Sequence, residues 1–385
     1  MKNLIIAAVL LMPAAASAQQ NIKFGNLEVN PFVSTQESYD SNIYLTKTQR
    51  KSAEINRSAV GVNLVEKLGS RVDLMGGYNM ELLSYSRATS INNAVHHNAN
   101  IAAVGRMPKD ITATLTDNYK QTTDQATSEL TQRAKRIENT AGLVVEAPLR
   151  GQFGFAVAVQ DTYNNYLSHT FAALDREESQ VGFDVTYKLQ PKTRAMFSYR
   201  YGNLIYQNSD FGNATTNNMD VGIVGDIAPK VVGTVKAGVQ MRHYTRQLAG
   251  ADDDITTGGY SVQALWKPME KTEVILFAKR ANVESTYATS RFYTSTLTDL
   301  SMSREVRKVK VGLGLSYEAV QYPEKTNAFM PKRLDENASV RVTADYNIQK
   351  WLTASCGYTY KDRTSNEDAF EYKDNVVSVG LKASF

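Results

Sequence analysis

Tyr372-Lys-Asp-Asn-Val-Val-Ser-Val-Gly-Leu-Lys-Ala-Ser-Phe385 closes the sequence. Taken at a period of two, Val377, Val379, Leu381, Ala383 and Phe385 share one face, while Asp374, Ser378, Gly380, Lys382 and Ser384 share the other. This reads as a strand that is apolar on one side, polar on the other, and finished by an aromatic residue.

The same alternation recurs upstream. Val181, Phe183, Val185, Tyr187 and Leu189 oppose Gln180, Gly182, Asp184, Thr186 and Lys188. Val309, Val311, Leu313, Leu315 and Tyr317 oppose Lys308, Lys310, Gly312, Gly314 and Ser316. Between such segments two kinds of connection alternate. Short turns rich in Pro, Gly or Lys fall at 67–71, 106–110, 147–151, 189–193, 227–230, 266–271 and 347–350. Longer polar stretches cover 46–53, 86–93, 122–134, 164–175, 207–216, 247–255, 285–303 and 363–369.

The N-terminus reads as a secretory signal peptide, residues 1–18, with Lys2, an apolar run over 4–12 and Ala16-Ser-Ala18 before the cleavage point. Beyond Gln19 no apolar run is long enough for a membrane helix, so the exported chain is either soluble or a barrel. A β-sandwich would also alternate. The number of hairpins, the closing Phe and the Tyr residues near strand ends point instead to residues 19–385 forming an all-β, transmembrane, up-and-down antiparallel β-barrel.

Strand segments can be placed throughout, the opening one over 28–39 with a turn at 40–42. Segments 304–319 and 334–348 come out running in the same direction, which places a missing strand within 319–332. The total is then about eighteen strands, with about sixteen as the alternative.

A barrel of that size encloses water. Inward basic positions are Arg194, Arg200, Lys236, Arg242, Arg246, Lys308, Lys310, Arg341 and Lys361, opposed by acids that include Glu138, Asp184, Glu318, Asp345 and Asp374. Two readings stay open. The basic excess gives a weak anion preference or suits an anionic polymer; alternatively the charges pair across strands and stiffen the wall. The stretch 285–303, with Arg291, Phe292 and Tyr293, is the candidate for an inward loop constricting a pore.

Catalytic and metal constellations are thin. His96 and His97 are adjacent on a strand and must face opposite ways. Ser168-His169 has no nucleophile–base–orienter pattern around it, and Asp252-Asp-Asp254 reads as a solvated acidic loop. Cys356, the lone cysteine, falls among apolar positions. No enzyme activity, cofactor, metal or nucleic-acid partner is expected.

Pro31-Phe-Val-Ser-Thr-Gln-Glu-Ser-Tyr-Asp-Ser-Asn-Ile-Tyr44 resembles the first strand of the putative β-barrel porin 2 family of Gram-negative bacteria. Gly357-Tyr-Thr-Tyr-Lys-Asp-Arg-Thr-Ser-Asn366, with Tyr372 to Leu381 and Phe385, resembles its final hairpin. The Pro-containing region 319–333 departs from a regular strand. The resemblance implies an outer-membrane location, with Phe385 as the assembly signal read by the barrel assembly machinery, and with lipids and lipopolysaccharide around the wall. Members of the family often accompany exopolysaccharide synthesis and export genes, which implies a conduit for a secreted polysaccharide working with periplasmic export components. A general diffusion porin for small solutes and a structural or surface-interaction barrel are the alternatives.

Overall fold

Backbone groups cannot stay unpaired in lipid, so a membrane protein built of strands must close on itself. The computed structural model describes residues 22–247, 252–286, 290–325 and 331–385, and among them the sheet is closed. The 1–18 signal peptide lies outside the described residues.

A short strand β1 (Ile22–Phe24) turns at Gly25 onto β2 (Leu27–Asp40). There follow β3 (Ala53–Leu68), β4 (Val72–Tyr85), β5 (Ala94–Met107), β6 (Ile111–Thr122), β7 (Arg136–Pro148) and β8 (Phe153–Tyr166). Next come β9 (Arg176–Gln190), β10 (Thr193–Tyr206), β11 (Ala214–Ala228), β12 (Val231–Tyr244), β13 (Asp254–Trp266) and β14 (Thr272–Glu284). The last are β15 (Phe292–Val306), β16 (Val309–Gln321), β17 (Leu334–Gln349), β18 (Leu352–Ser365) and β19 (Tyr372–Ser384). From β2 onwards each strand pairs antiparallel with its neighbours in sequence. β19 returns to β2 in a register running from Val376 opposite Asp40 to Ser384 opposite Phe32. The result is an eighteen-stranded barrel, β2 to β19.

The period-two pattern sorts residues between lipid and lumen. On β16, Val311, Leu313, Leu315 and Tyr317 are exposed on the outer surface, while Lys310, Gly312, Gly314, Ser316 and Glu318 face inward and are half-buried. Cys356 shares the outer face with Tyr358 and is exposed there. At the end of the barrel where β2 begins and β19 finishes, the Phe385 ring stacks on Trp351 at 6.0 Å, an aromatic pair suited to the membrane–water interface. The other end carries the longer connections.

The strand total agrees with the sequence reading, but one strand lies elsewhere. The segment 304–319 is not one strand: a two-residue turn at Arg307-Lys308 divides it, with Val306 opposite Val309. Arg307 takes a positive φ of 56° there, a conformation usually announced by Gly or Asn, so the turn leaves little sequence signal. The missing strand is β15, in the stretch read as a loop over 285–303; β16 ends at Gln321 and pairs directly with β17 from Leu334, so among the described residues no further strand falls within 319–332. Its Thr294-Ser-Thr-Leu-Thr-Asp-Leu-Ser-Met-Ser303 run is mostly small and polar, which masks the alternation of Leu300 and Met302 with Asp299, Ser301 and Ser303.

The face assignment sets an asymmetry. Arg placed at Leu315, mid-strand on the lipid side, should destabilise the barrel by about 2–4 kcal/mol, whereas Arg at inward Ser316 should cost much less. Denaturant unfolding of the two variants refolded in liposomes measures this, and equal costs would contradict the assignment.

Candidate functional site

The lumen is crossed near its outer mouth by the connection between β6 and β7, residues 123–135. Its foot is built by charge. Asp124 accepts a hydrogen bond from Arg57 Nη2 on β3 at 3.1 Å, and Arg57 also pairs with Glu81 on β4 at 2.5 Å. The Thr123 N–H donates to Nε2 of buried His96 at 3.0 Å. At the other foot, the Arg133 guanidinium lies over the Tyr85 ring at 4.9 Å, and Arg136 bonds Glu138 at 2.6 Å and the Asp124 carbonyl. Burial pushes the Asp124 carboxyl upward, but the Arg57 guanidinium beside it outweighs this and holds it below the usual carboxylate range.

The tip reaches the opposite wall. Glu129, only 2 % exposed, accepts hydrogen bonds from Ser285 Oγ at 2.8 Å, Thr286 Oγ1 at 2.8 Å and the Thr286 N–H. The Ser128 carbonyl accepts from Arg363 Nη1 on β18 at 2.8 Å. Arg363 and Arg333 both donate to Asp335, which is fully buried and also takes the Ser365 hydroxyl. One segment rooted on β3–β7 is therefore fastened to β18 and to the residues that follow β14.

A second element enters from the wall. Pairing of β13 with β14 stops at Tyr260 and Arg280, although β13 pairs with β12 as far as Asp254 and β14 pairs with β15 as far as Glu284 and Phe292. Above the break, the β14–β15 tip lies over the inner face of β12 and β13. The Asn282 N–H donates to Gln240 Oε1 on β12 at 3.1 Å, and its Nδ2 donates to Thr257 Oγ1 on β13 at 2.9 Å. Arg242 on β12 pairs with Glu284 and donates to the Asn282 carbonyl at 3.3 Å. Because β13 separates β12 from β14 in the sheet, these bonds form only where the tip has folded into the lumen.

The constriction candidates belong to this tip, as strand termini and not as a free loop. Arg291 sits over the Tyr244 ring at 4.5 Å and donates to the Arg246 carbonyl at 2.7 Å and to Asp253 at 3.2 Å. Phe292 packs on Ala214 and Tyr244, and Tyr293 packs on Val320 and Tyr322. All three are buried, so they anchor the constriction and do not line an aperture.

The basic candidates divide. Arg194, Lys236, Lys310 and Arg341 occupy inward positions of β10, β12, β16 and β17. Arg200 is paired with Asp184 at 2.8 Å and Lys361 with Asp374 at 3.4 Å. Arg242 is covered by the tip. Two are corrected: Lys308 lies in the β15–β16 turn, and Arg246 lies beyond β12, pairing with Asp210 at 2.6 Å. His96 and His97 face opposite ways as their adjacency requires, His96 buried and His97 bonding the exposed Tyr78 hydroxyl at 2.9 Å. In the acidic loop, Asp253 meets Arg291 and Asp254 meets His243. The crossing of residues 123–135 was not expected from sequence; its only trace is Asp124, Glu129, Arg133 and Arg136 set in a polar stretch.

Closed strands, a lipid-facing apolar surface and a polar, partly occluded lumen define an outer-membrane β-barrel of porin-like channel type. The chain belongs to the family described as "Putative beta-barrel porin 2", whose sequence model matches residues 16–385. Several solved structures are similar to this chain at low identity. Acinetobacter baumannii OccAB4 is 9% identical with a TM-score of 0.48, covering 95% of this chain and 99% of its own. Pseudomonas aeruginosa OccK7 (OpdD) is 10% identical with a TM-score of 0.48, covering 94% and 99%. A loop L8 deletion mutant of OmpT, an outer membrane protein of Vibrio cholerae, is 12% identical with a TM-score of 0.43, covering 94% and 100%. Comparison with curated proteins gives no match.

Glu129→Ala should free the tip of residues 123–135, removing hydrogen bonds to a charged group worth on the order of 2–4 kcal/mol together. Single-channel recordings should then show larger or more frequent openings than wild type, with the barrel still folded. Unchanged recordings would mean that the segment does not limit the lumen.

The foot should respond to acid. With its folded-state pKa below its ordinary value, Asp124 stabilises the seated segment above the ordinary carboxylate pKa, and that contribution disappears as pH falls through the depressed value. Openings should therefore increase only in strongly acidic solution, and Asp124→Asn should remove that part of the pH response.

Proposed function

We propose that this channel is a conduit for a secreted polysaccharide, closed at rest by residues 123–135 and the β14–β15 tip. The observation that carries the reading is the way the mouth is crossed: both elements are held by side-chain hydrogen bonds and ion pairs, with no covalent tie. Eighteen strands enclose an aqueous lumen that wall side chains alone do not fill. A passage wide enough for a polymer needs a closure when no polymer is present, and that closure must yield.

The cargo class follows the family resemblance. The inner wall is compatible with it: Ser301, Ser303, Gly312, Gly314, Ser316 and Ser339 make a smooth, polar strip on β15–β17, with charge of both signs beside it in Asp299 and Arg341. A glycan offers many hydroxyls and few charges, so a wall of this kind lets it slide without strong capture. The Gram-negative outer membrane and a periplasmic export partner belong to the same reading.

A second reading has its own support. An inward-folded element that narrows the mouth also suits a diffusion porin for small hydrophilic solutes, the outcome expected if the crossing leaves a permanent gap.

Conductance in planar bilayers separates them. Wild-type protein should conduct little, and removal of residues 125–132 should give large steps that added polysaccharide blocks. Steady wild-type conductance indifferent to polymer would favour the diffusion porin. In the native cell, loss of the protein should strip surface polymer; intact polymer would overturn the conduit.

A further inference from the structure

Beneath the seated segment lies a cavity of about 330 Å3, within the range of roughly 300–1,000 Å3 found for small-ligand sites. Its roof is Gln125 to Ser128. Its wall carries Ser316, Glu318, Asn337, Ser339, Lys361 and Tyr372 from four adjacent strands. Strand register sets these in rungs, with Ser316 opposite Ser339 opposite Lys361, and Glu318 opposite Asn337.

The hydrogen-bonding capacity of this wall is incompletely used. Asn337 donates its amide to Glu318 Oε2 at 3.3 Å, yet its Oδ1 is buried with no hydrogen-bond partner among the described residues. Buried polar atoms are normally satisfied, so the cavity is short of a donor at that point. The Ser316 and Ser339 hydroxyls each donate and accept, and the Lys361 ammonium donates. A ligand rich in hydroxyl groups meets all of these at once. An anion would face Glu318, and a metal ion would face Lys361. The Tyr372 ring, with Ala126 and Leu297, supplies apolar surface for a C–H face.

We infer that this cavity is a saccharide subsite that holds an uncharged hexopyranose unit under residues 125–128, an inference resting on the conduit reading above. It shares Ser316 and Ser339 with a second cavity of about 540 Å3 further down the β14–β17 wall. A chain seated in the first therefore continues into the second, and the roof closes over its leading unit.

Titration calorimetry of the refolded full chain tests this, with maltohexaose and cellohexaose as uncharged probes and a hyaluronan hexasaccharide as the acidic one. At least one uncharged probe should bind saturably. Asn337→Leu, which removes the unsatisfied acceptor, and Ser339→Trp, which fills the cavity, should each weaken it at least ten-fold. Heat-modifiable migration checks that both variants are folded. No saturable binding of either uncharged probe, binding of the acidic probe alone, or equal binding by both folded variants would each overturn the subsite. Any of these, with polymer still blocking the channel, would leave the conduit reading standing. Binding at the cavity in a protein whose loss leaves surface polymer intact would instead retain the subsite and remove the conduit.

Discussion

Everything in this molecule depends on pairing the backbone where water is absent. The constraint is most visible at the seam. β19 meets β2 with its register fixed over nine residue pairs, and the Phe385 N–H still donates to the Pro31 carbonyl at 3.0 Å. A slip of one residue would turn Val377, Val379 and Leu381 into the lumen and Ser378, Lys382 and Ser384 into lipid. Closure and face assignment are thus one requirement, which is why the alternation of a single terminal strand carries so much of the fold.

The parting of β13 from β14 shows what such a break demands. Along β14, Val274, Leu276 and Ala278 hold outward positions, and the same parity continues through Arg280, Asn282 and Glu284. Asn282 and Glu284 would be costly against lipid. They are instead turned against the inner face of β12 and β13, where Gln240, Thr257 and Arg242 take over hydrogen bonding that the sheet gives up. The polar run at lipid-facing parity and the departure from the wall have the same cause.

That run was present in the sequence, and it marks the limit of what periodicity can yield. Strands with Val, Leu and Tyr on one face are legible, as are turns signalled by Pro and Gly. The Arg307-Lys308 turn is not, because a positive φ at Arg carries no compositional mark, and the Ser- and Thr-rich β15 reads as a loop for want of contrast between its faces. The sequence reads Arg291, Phe292 and Tyr293 as part of a constricting loop; their burial at strand termini, against the rings of Tyr244 and Tyr322, follows only from the fold. The crossing by residues 123–135 was out of reach. It depends on contacts between residues more than a hundred and fifty positions apart, such as Glu129 with Ser285, and no local pattern encodes them.

The charges gathered at the crossing suit a closure that must also open. Asp335 is shared by two guanidinium groups, Arg333 and Arg363. The Ser128 carbonyl accepts from Arg363, which ties this cluster to the seated segment. Buried ion pairs gain little net free energy, since desolvation offsets most of their attraction. When the segment leaves, water entering the mouth rehydrates the same groups. An apolar plug would instead lose its whole burial free energy on opening and would favour one state decisively. A polar crossing held by such pairs would lose less on opening, which suits the closure proposed above and leaves room for a bound chain to shift its population.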